Sequence, residues 1–156
     1  MKKIFAFSLL IVALAACNKD KFQSKPQIKI KSQSSEIVGP NSFLRVVLEF
    51  TDKEGDLELD SAIVLRKQRL NKRVVTPTLR NVVYLELPKF PNNNLGEIEL
   101  DLDYQNHLIS AQTPPNIPGT NPQRKESDTL RLKFVLKDKA GNVSDTAETN
   151  VIVLRN

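Results

Sequence analysis

Asp52, Glu54, Asp56, Glu58 and Asp60 set five carboxylates within nine residues, around a single glycine, Gly55. Calcium takes about six to eight hard oxygen ligands, and an acidic turn supplies several of them from one stretch of chain. Asp52, Glu54 and Asp56 are the calcium candidates on that basis. The spacing is not that of an EF-hand loop, where glycine follows the third ligand, and Lys53 sits inside the group. The competing reading is a solvated hairpin turn without an ion. A second turn, Asp138-Lys139-Ala140-Gly141-Asn142, has a similar outline but a single carboxylate, which favours the hairpin.

Glu97, Glu99, Asp101 and Asp103 alternate with mostly apolar residues, so a strand places them on one face about 7 Å apart. Such a stripe suits the paired carboxylates of a glycosidase, and like charges raise one another's pKa toward that of a general acid. It equally suits an exposed sheet face answered by basic strands carrying Arg131, Lys133, Arg66 and Lys67. The run Arg66, Lys67, Arg69, Lys72 and Arg73 follows the third apolar segment. It is either a solvated hairpin end or a meeting point for an acidic glycan or lipopolysaccharide, since clustered cations attract polyanions.

His107 is the only histidine, which excludes multi-histidine metal sites and leaves any Ser-His-Asp triad dependent on that residue. No Gly-x-Ser-x-Gly elbow and no phosphate-binding glycine loop is present. Tryptophan is absent and aromatic residues make up 6% of the chain, so a sugar-stacking platform has few candidates. The expectation is a protein that is not an enzyme and needs no cofactor, with a small carbohydrate-active hydrolase as the lesser alternative.

The first residues concern location. Lys2 and Lys3 precede an uncharged, mostly apolar run over 4–13 that is too short to cross a bilayer comfortably. Small residues then lead to Cys17, the sole cysteine. Leu14-Ala15-Ala16-Cys17 resembles the lipobox of bacterial lipoproteins. That resemblance implies cleavage before Cys17, a diacylglyceryl group on its sulfur, and acylation of the freed amine with a chain such as palmitate. Two or more acyl chains anchor a protein stably where one does not. Residues 1–16 then form the signal peptide, 17–25 a lipidated tether and 26–156 one domain. The expected place is the cell envelope, most simply the outer membrane on its periplasmic face or at the cell surface. Lys19-Asp20 resembles the short charged surface-export signals of Bacteroidota lipoproteins, although a polar tether accounts for it too.

With Cys17 committed to lipid, the domain has no disulfide and no thiolate metal site. Roughly 140 residues remain, enough to bury about two-thirds of the unfolded surface in one core. The charge of +5 falls to about three once Lys2 and Lys3 leave, too little to indicate a nucleic-acid partner.

From Pro26 onward the dominant period is two. Ile28 and Ile30, then Leu44 to Phe50, Ile98 to Tyr104 and Leu130 to Leu136 each place apolar residues on alternate positions. These are half-buried strands of antiparallel sheets. Less regular apolar runs at 62–65, 82–87 and 151–154 bring the count to about seven, with no helix, which predicts an all-β, two-sheet sandwich. Two of the amphipathic strands run into Asp-Lys-x-Gly-(Asp/Asn) turns, at Asp52 and Asp138. Phe50-Thr51-Asp52-Lys53-Glu54-Gly55-Asp56-Leu57 resembles turns in small immunoglobulin-like lipoprotein domains of Bacteroidota, and the strand running into Asp138-Lys139-Ala140-Gly141-Asn142-Val143-Ser144 resembles the closing strands of bacterial immunoglobulin-like domains. The resemblance implies a single immunoglobulin-like sandwich without the cysteine pair and tryptophan of antibody domains. Asp60-Ser61-Ala62, Asp128-Thr129-Leu130 and Asp145-Thr146-Ala147 resemble Bacteroidota O-glycosylation acceptors, and are also ordinary turn sequences.

Residues 112–127 carry Pro114, Pro115, Pro118 and Pro122, which exclude a helix or a central strand. This segment is either a plain mobile loop or a partner surface. Taken together, these features predict a non-catalytic, lipid-anchored envelope module that binds a protein or glycan partner or serves assembly. A calcium-dependent adhesion module is the alternative.

Overall fold

The computed structural model describes residues 25–57, 60–75, 78–89 and 91–155. The signal segment, Cys17 and all of the tether but Lys25 lie outside the described residues, as do Glu58 and Phe90. Within them the chain forms eight strands: β1 (Gln27–Gln33), β2 (Ile37–Val38), β3 (Phe43–Thr51), β4 (Ile63–Arg69), β5 (Val82–Leu85), β6 (Leu95–Asp103), β7 (Asp128–Leu136) and β8 (Ala147–Val153).

The strands make two sheets, one ordered β1-β3-β6 and the other β2-β8-β7-β4-β5. All pairings are antiparallel except β2 with β8. β1, β3 and β6 take the places of strands A, B and E of an immunoglobulin sandwich, and β8, β7 and β4 those of G, F and C. The described residues therefore form an all-β, two-sheet sandwich. The period-two pattern explains it: Leu44, Val46, Leu48 and Phe50 on β3 face Leu130, Leu132, Phe134 and Leu136 on β7, and all are buried. Each fully buried side chain of this size is worth about 1.5–3 kcal/mol over leaving it exposed.

The structure departs from the sequence pattern in three places. The strand β2 adds to the seven expected, because two residues are too few to show alternation; it pairs with β8, where Ile152 N–H donates to Glu36 O and Leu154 N–H to Val38 O, both at 2.8 Å. Tyr104 leaves the strand pattern and opens a π-helical turn, Tyr104–Leu108, although no helix is expected. Asp103 caps that turn by accepting from Asn106 N–H at 2.8 Å, and its own N–H donates to His107 Nδ1 at 2.8 Å. Strand β4 does not end at Leu65 but continues to Arg69, so Arg66, Lys67 and Arg69 lie within a strand and not after one.

The Pro-rich segment is itself folded. Asn116 and Lys125 form an isolated bridge, Ile117 N–H donates to Arg124 O, and Glu126 N–H donates to Pro115 O, both at 2.8 Å. The donors come from residues that flank the prolines, which have no N–H to give. Arg73 Nη1 ties this small hairpin to the body through Asn116 O at 2.9 Å.

Candidate functional site

The two Asp-Lys-x-Gly turns leave from different sheets, one after β3 and one after β7, yet they meet at the same end of the sandwich. Leu57 bridges to Asp138, and Lys139 N–H donates to Asp56 O at 3.0 Å. One carboxylate oxygen from each of Asp52, Asp56 and Asp138 lies within 4.8 Å of the other two. Asp52 and Asp138 are each 1% exposed. Asp52 Oδ2 accepts from Asp56 N–H at 3.0 Å, while Asp52 Oδ1 and Asp56 Oδ1 are buried without a hydrogen-bond partner among the described residues. Asp138 is held by Asn142, whose backbone N–H and Nδ2 donate to Oδ1 and Oδ2 at 2.7 Å.

Burial pushes the Asp52 carboxyl above its usual range. The negative charges of Asp56, Glu54 and Asp138 act in the same direction, against the pull of the Asp56 N–H. Gly55, with φ of +64°, turns the chain so that Asp52 and Asp56 converge, a conformation glycine adopts without penalty. Glu54 is exposed and outside the trio, and Glu58 lies outside the described residues. Sequence spacing thus points to Asp52 and Asp56 but misses Asp138. The signal for the third carboxylate was the echo between the two turns.

The acidic stripe on β6 is answered from its own sheet, not by Arg131, Lys133, Arg66 and Lys67. Register puts Arg45 opposite Asp101 and Glu49 opposite Glu97. Arg45 binds Asp101 through Nε and Nη2 at 2.8 and 2.9 Å and reaches Glu99 at 3.1 Å, with its guanidinium 5.6 Å from the Phe43 ring. Lys31 pairs with Glu97, and Lys29 with Glu49 at 2.8 Å. The Arg45 guanidinium holds the Asp101 carboxyl below its ordinary range, the reverse of what a general acid needs. Asp103 serves as the cap described above. On the other sheet, Arg131 and Lys133 pair with Glu148.

The basic run divides by the pleat. Arg66 and Gln68 face out, while Lys67 and Arg69 turn inward to a buried charge cluster that the sequence does not announce. Asp128, 1% exposed, accepts from Arg69 Nε at 2.9 Å, Arg155 Nη1 at 3.1 Å and Ser110 N–H at 3.3 Å. Lys67 Nζ donates to Ile109 O at 2.8 Å, and burial lowers its pKa to about 8 against the opposing pull of Asp128. Burial also lowers the pKa of half-buried His107, helped by the Lys67 charge and opposed by Asp103. Of the three Asp-(Ser/Thr)-apolar sequences, Thr146 is exposed, whereas Thr129 is half-buried within β7 beside buried Asp128.

The outer face of the five-stranded sheet carries an apolar row. Tyr84 on β5 lies opposite Val64 on β4, which lies opposite Val135 on β7. Tyr84 is 60% exposed. Arg66, Lys133 and Lys137 border the same shallow depression, together with exposed Val143. At the far end of the sandwich, Val74 is exposed beside the Pro-rich hairpin.

No helix among the described residues is long and apolar enough to cross a membrane. Compared with models of known families, with curated proteins and with solved structures, the chain matches none.

Proposed function

We propose that this chain is a non-catalytic, lipid-anchored module of a bacterial cell envelope, held by Cys17 and contacting a protein or glycan partner through the outer face of its five-stranded sheet. The observation that carries the contact surface is the row Tyr84, Val64 and Val135 flanked by Arg66, Lys133 and Lys137. An exposed tyrosine set among valines on an open sheet leaves apolar area in water, and contiguous patches of this kind mark interaction sites. Tyrosine is enriched at interfaces because its ring is apolar and its hydroxyl polar. The three cations favour an anionic partner surface and speed its encounter.

The anchor rests on Leu14-Ala15-Ala16-Cys17 and the charged and apolar segments before it. It implies attachment to the outer membrane, on the periplasmic or outer leaflet. The non-catalytic reading is supported by the fate of the acidic stripe, whose charges are taken up by Lys31 and Arg45 across a pleated face. The test is affinity capture from the native envelope with the intact lipoprotein and its Tyr84→Ala and Arg66→Glu variants. A partner held by the wild type and released by both variants supports the reading; equal capture by all three overturns it.

A further inference from the structure

We propose that Asp52, Asp56 and Asp138 bind one calcium ion, which ties the turn after β3 to the turn after β7 and so joins the two sheets at one end of the sandwich. This inference is independent of the role assigned to the outer sheet face.

The geometry comes first. Calcium–oxygen distances are about 2.3–2.6 Å, so three oxygens mutually within 4.8 Å need at most a shift of a few tenths of an ångström to share one ion. The donors are hard carboxylate oxygens with no histidine or cysteine among them, a set that selects calcium or magnesium over zinc or copper. Magnesium demands near-octahedral geometry at shorter distances and gives up its waters reluctantly, whereas calcium accepts an irregular site.

The second observation is chemical. Asp52 is 1% exposed, yet its Oδ1 accepts no hydrogen bond among the described residues, and neither does Asp56 Oδ1. A buried carboxylate oxygen without a donor is costly unless a cation or proton answers it. Among the described residues, no lysine or arginine forms an ion pair with any of the three, and Lys53 and Lys139 beside them are exposed. Among the described residues the donors to the trio are neutral: Asp56 N–H, and the backbone and side-chain amides of Asn142. Three carboxylates, two buried and one half-buried, thus share a corner without a compensating side-chain charge among the described residues, and they come from two loops already bound to each other by Lys139 N–H and Asp56 O.

The experiment is thermal unfolding and calorimetric titration of the full chain in detergent, stripped with EGTA and then given CaCl2 or MgCl2. A ligand that binds only the folded state raises its midpoint with concentration. The expected result is a calcium-dependent rise in wild type and in a Glu99→Gln control, and no rise in Asp52→Asn or Asp138→Asn. If a variant fails to fold, Asp56→Asn replaces it, and the wild-type binding heat stands by itself. Absence of both the shift and the heat in wild type overturns the proposal. So does an equal shift in the asparagine variants, and an equal response to MgCl2 overturns the assignment to calcium. Stabilisation by Asp52→Asn together with no calcium response in the wild type would assign a proton, not a cation, to the trio.

Discussion

Lys139 N–H donates to the carbonyl of Asp56 at 3.0 Å, stitching the turn of one sheet to the turn of the other. The contact brings together two loops of similar sequence that are far apart along the chain. It also fixes where Gly55 must bend. A Cβ at Gly55 meets the backbone of Asn93 at 3.3 Å in a left-handed conformation, whereas one at Gly141 meets nothing. Gly55→Ala is therefore expected to cost more than Gly141→Ala, about 1–2 kcal/mol against about 1. Chemical denaturation of both variants measures the difference.

Asp52 makes stability depend on pH in a stated direction. Its carboxyl has a raised pKa in the folded state, so the folded protein binds the proton more tightly than the unfolded chain. Without calcium, stability is fully present below the ordinary carboxylate range and declines as pH rises through the raised value. Asp52→Asn in EGTA is expected to raise the unfolding midpoint by a few degrees at neutral pH. It should make little difference in acid, where the wild-type carboxyl is already protonated. A pH series of unfolding midpoints checks this.

Lys67 acts at the alkaline side. Its pKa falls from 10.5 to about 8 on burial, so the unfolded chain binds more protons between those values. Stability is expected to rise as pH climbs from about 8 toward 10.5. Lys67→Met should flatten that rise while costing about 1–3 kcal/mol at high pH, because Ile109 O loses its donor. Urea unfolding across this range separates the two effects.

The two groups of ion pairs should differ sharply in weight. Asp128 is buried between Arg69 and Arg155, whose side chains are 12% and 6% exposed, so Asp128→Ala leaves Arg155 without its carboxylate and Arg69 with only its 3.3 Å contact to Glu126. Breaking a buried pair in this way costs about 3–5 kcal/mol. Arg45→Ala removes contacts to Glu99 and Asp101 on an open face and is expected to cost under about 1 kcal/mol. Unfolding free energies of the two variants decide the ranking.

Gly96 lies opposite Phe50, and a Cβ there falls 2.9 Å from the Phe50 ring. Gly96→Ala is expected to shift that ring and destabilise by about 1–3 kcal/mol, the usual range for overpacking. A change in the ring's NMR signals should accompany the loss.

The sandwich was legible because half-buried strands write their burial into every second residue, as Leu44 to Phe50 and Leu130 to Leu136 do. The end of β4 was less so. Ile63, Leu65, Lys67 and Arg69 keep the same period, but charge at the last two inward positions ordinarily signals solvent. Partners distant in sequence turn that signal inward: Ile109 O for Lys67, and buried Asp128 with Glu126 for Arg69. The capping of a π-helical turn by Asp103 interrupts β6 before Tyr104 for an equally local reason. The acidic trio divides in the same manner: Asp52 and Asp56 are sequence neighbours, while Asp138 joins them through the pairing of two turns. Tyr84 carries no motif, and its exposure follows from sheet register alone.

The central claim, a partner bound on the β5-β4-β7 face of an anchored module, is tested most directly by site-specific photocrosslinking in the native envelope. The crosslinker is placed at Tyr84, with Glu99 on the opposite sheet as the control position. A discrete adduct at position 84, absent at position 99 and lost on Lys133→Glu, is the predicted result. No adduct at 84, or equal adducts at both positions, would contradict it.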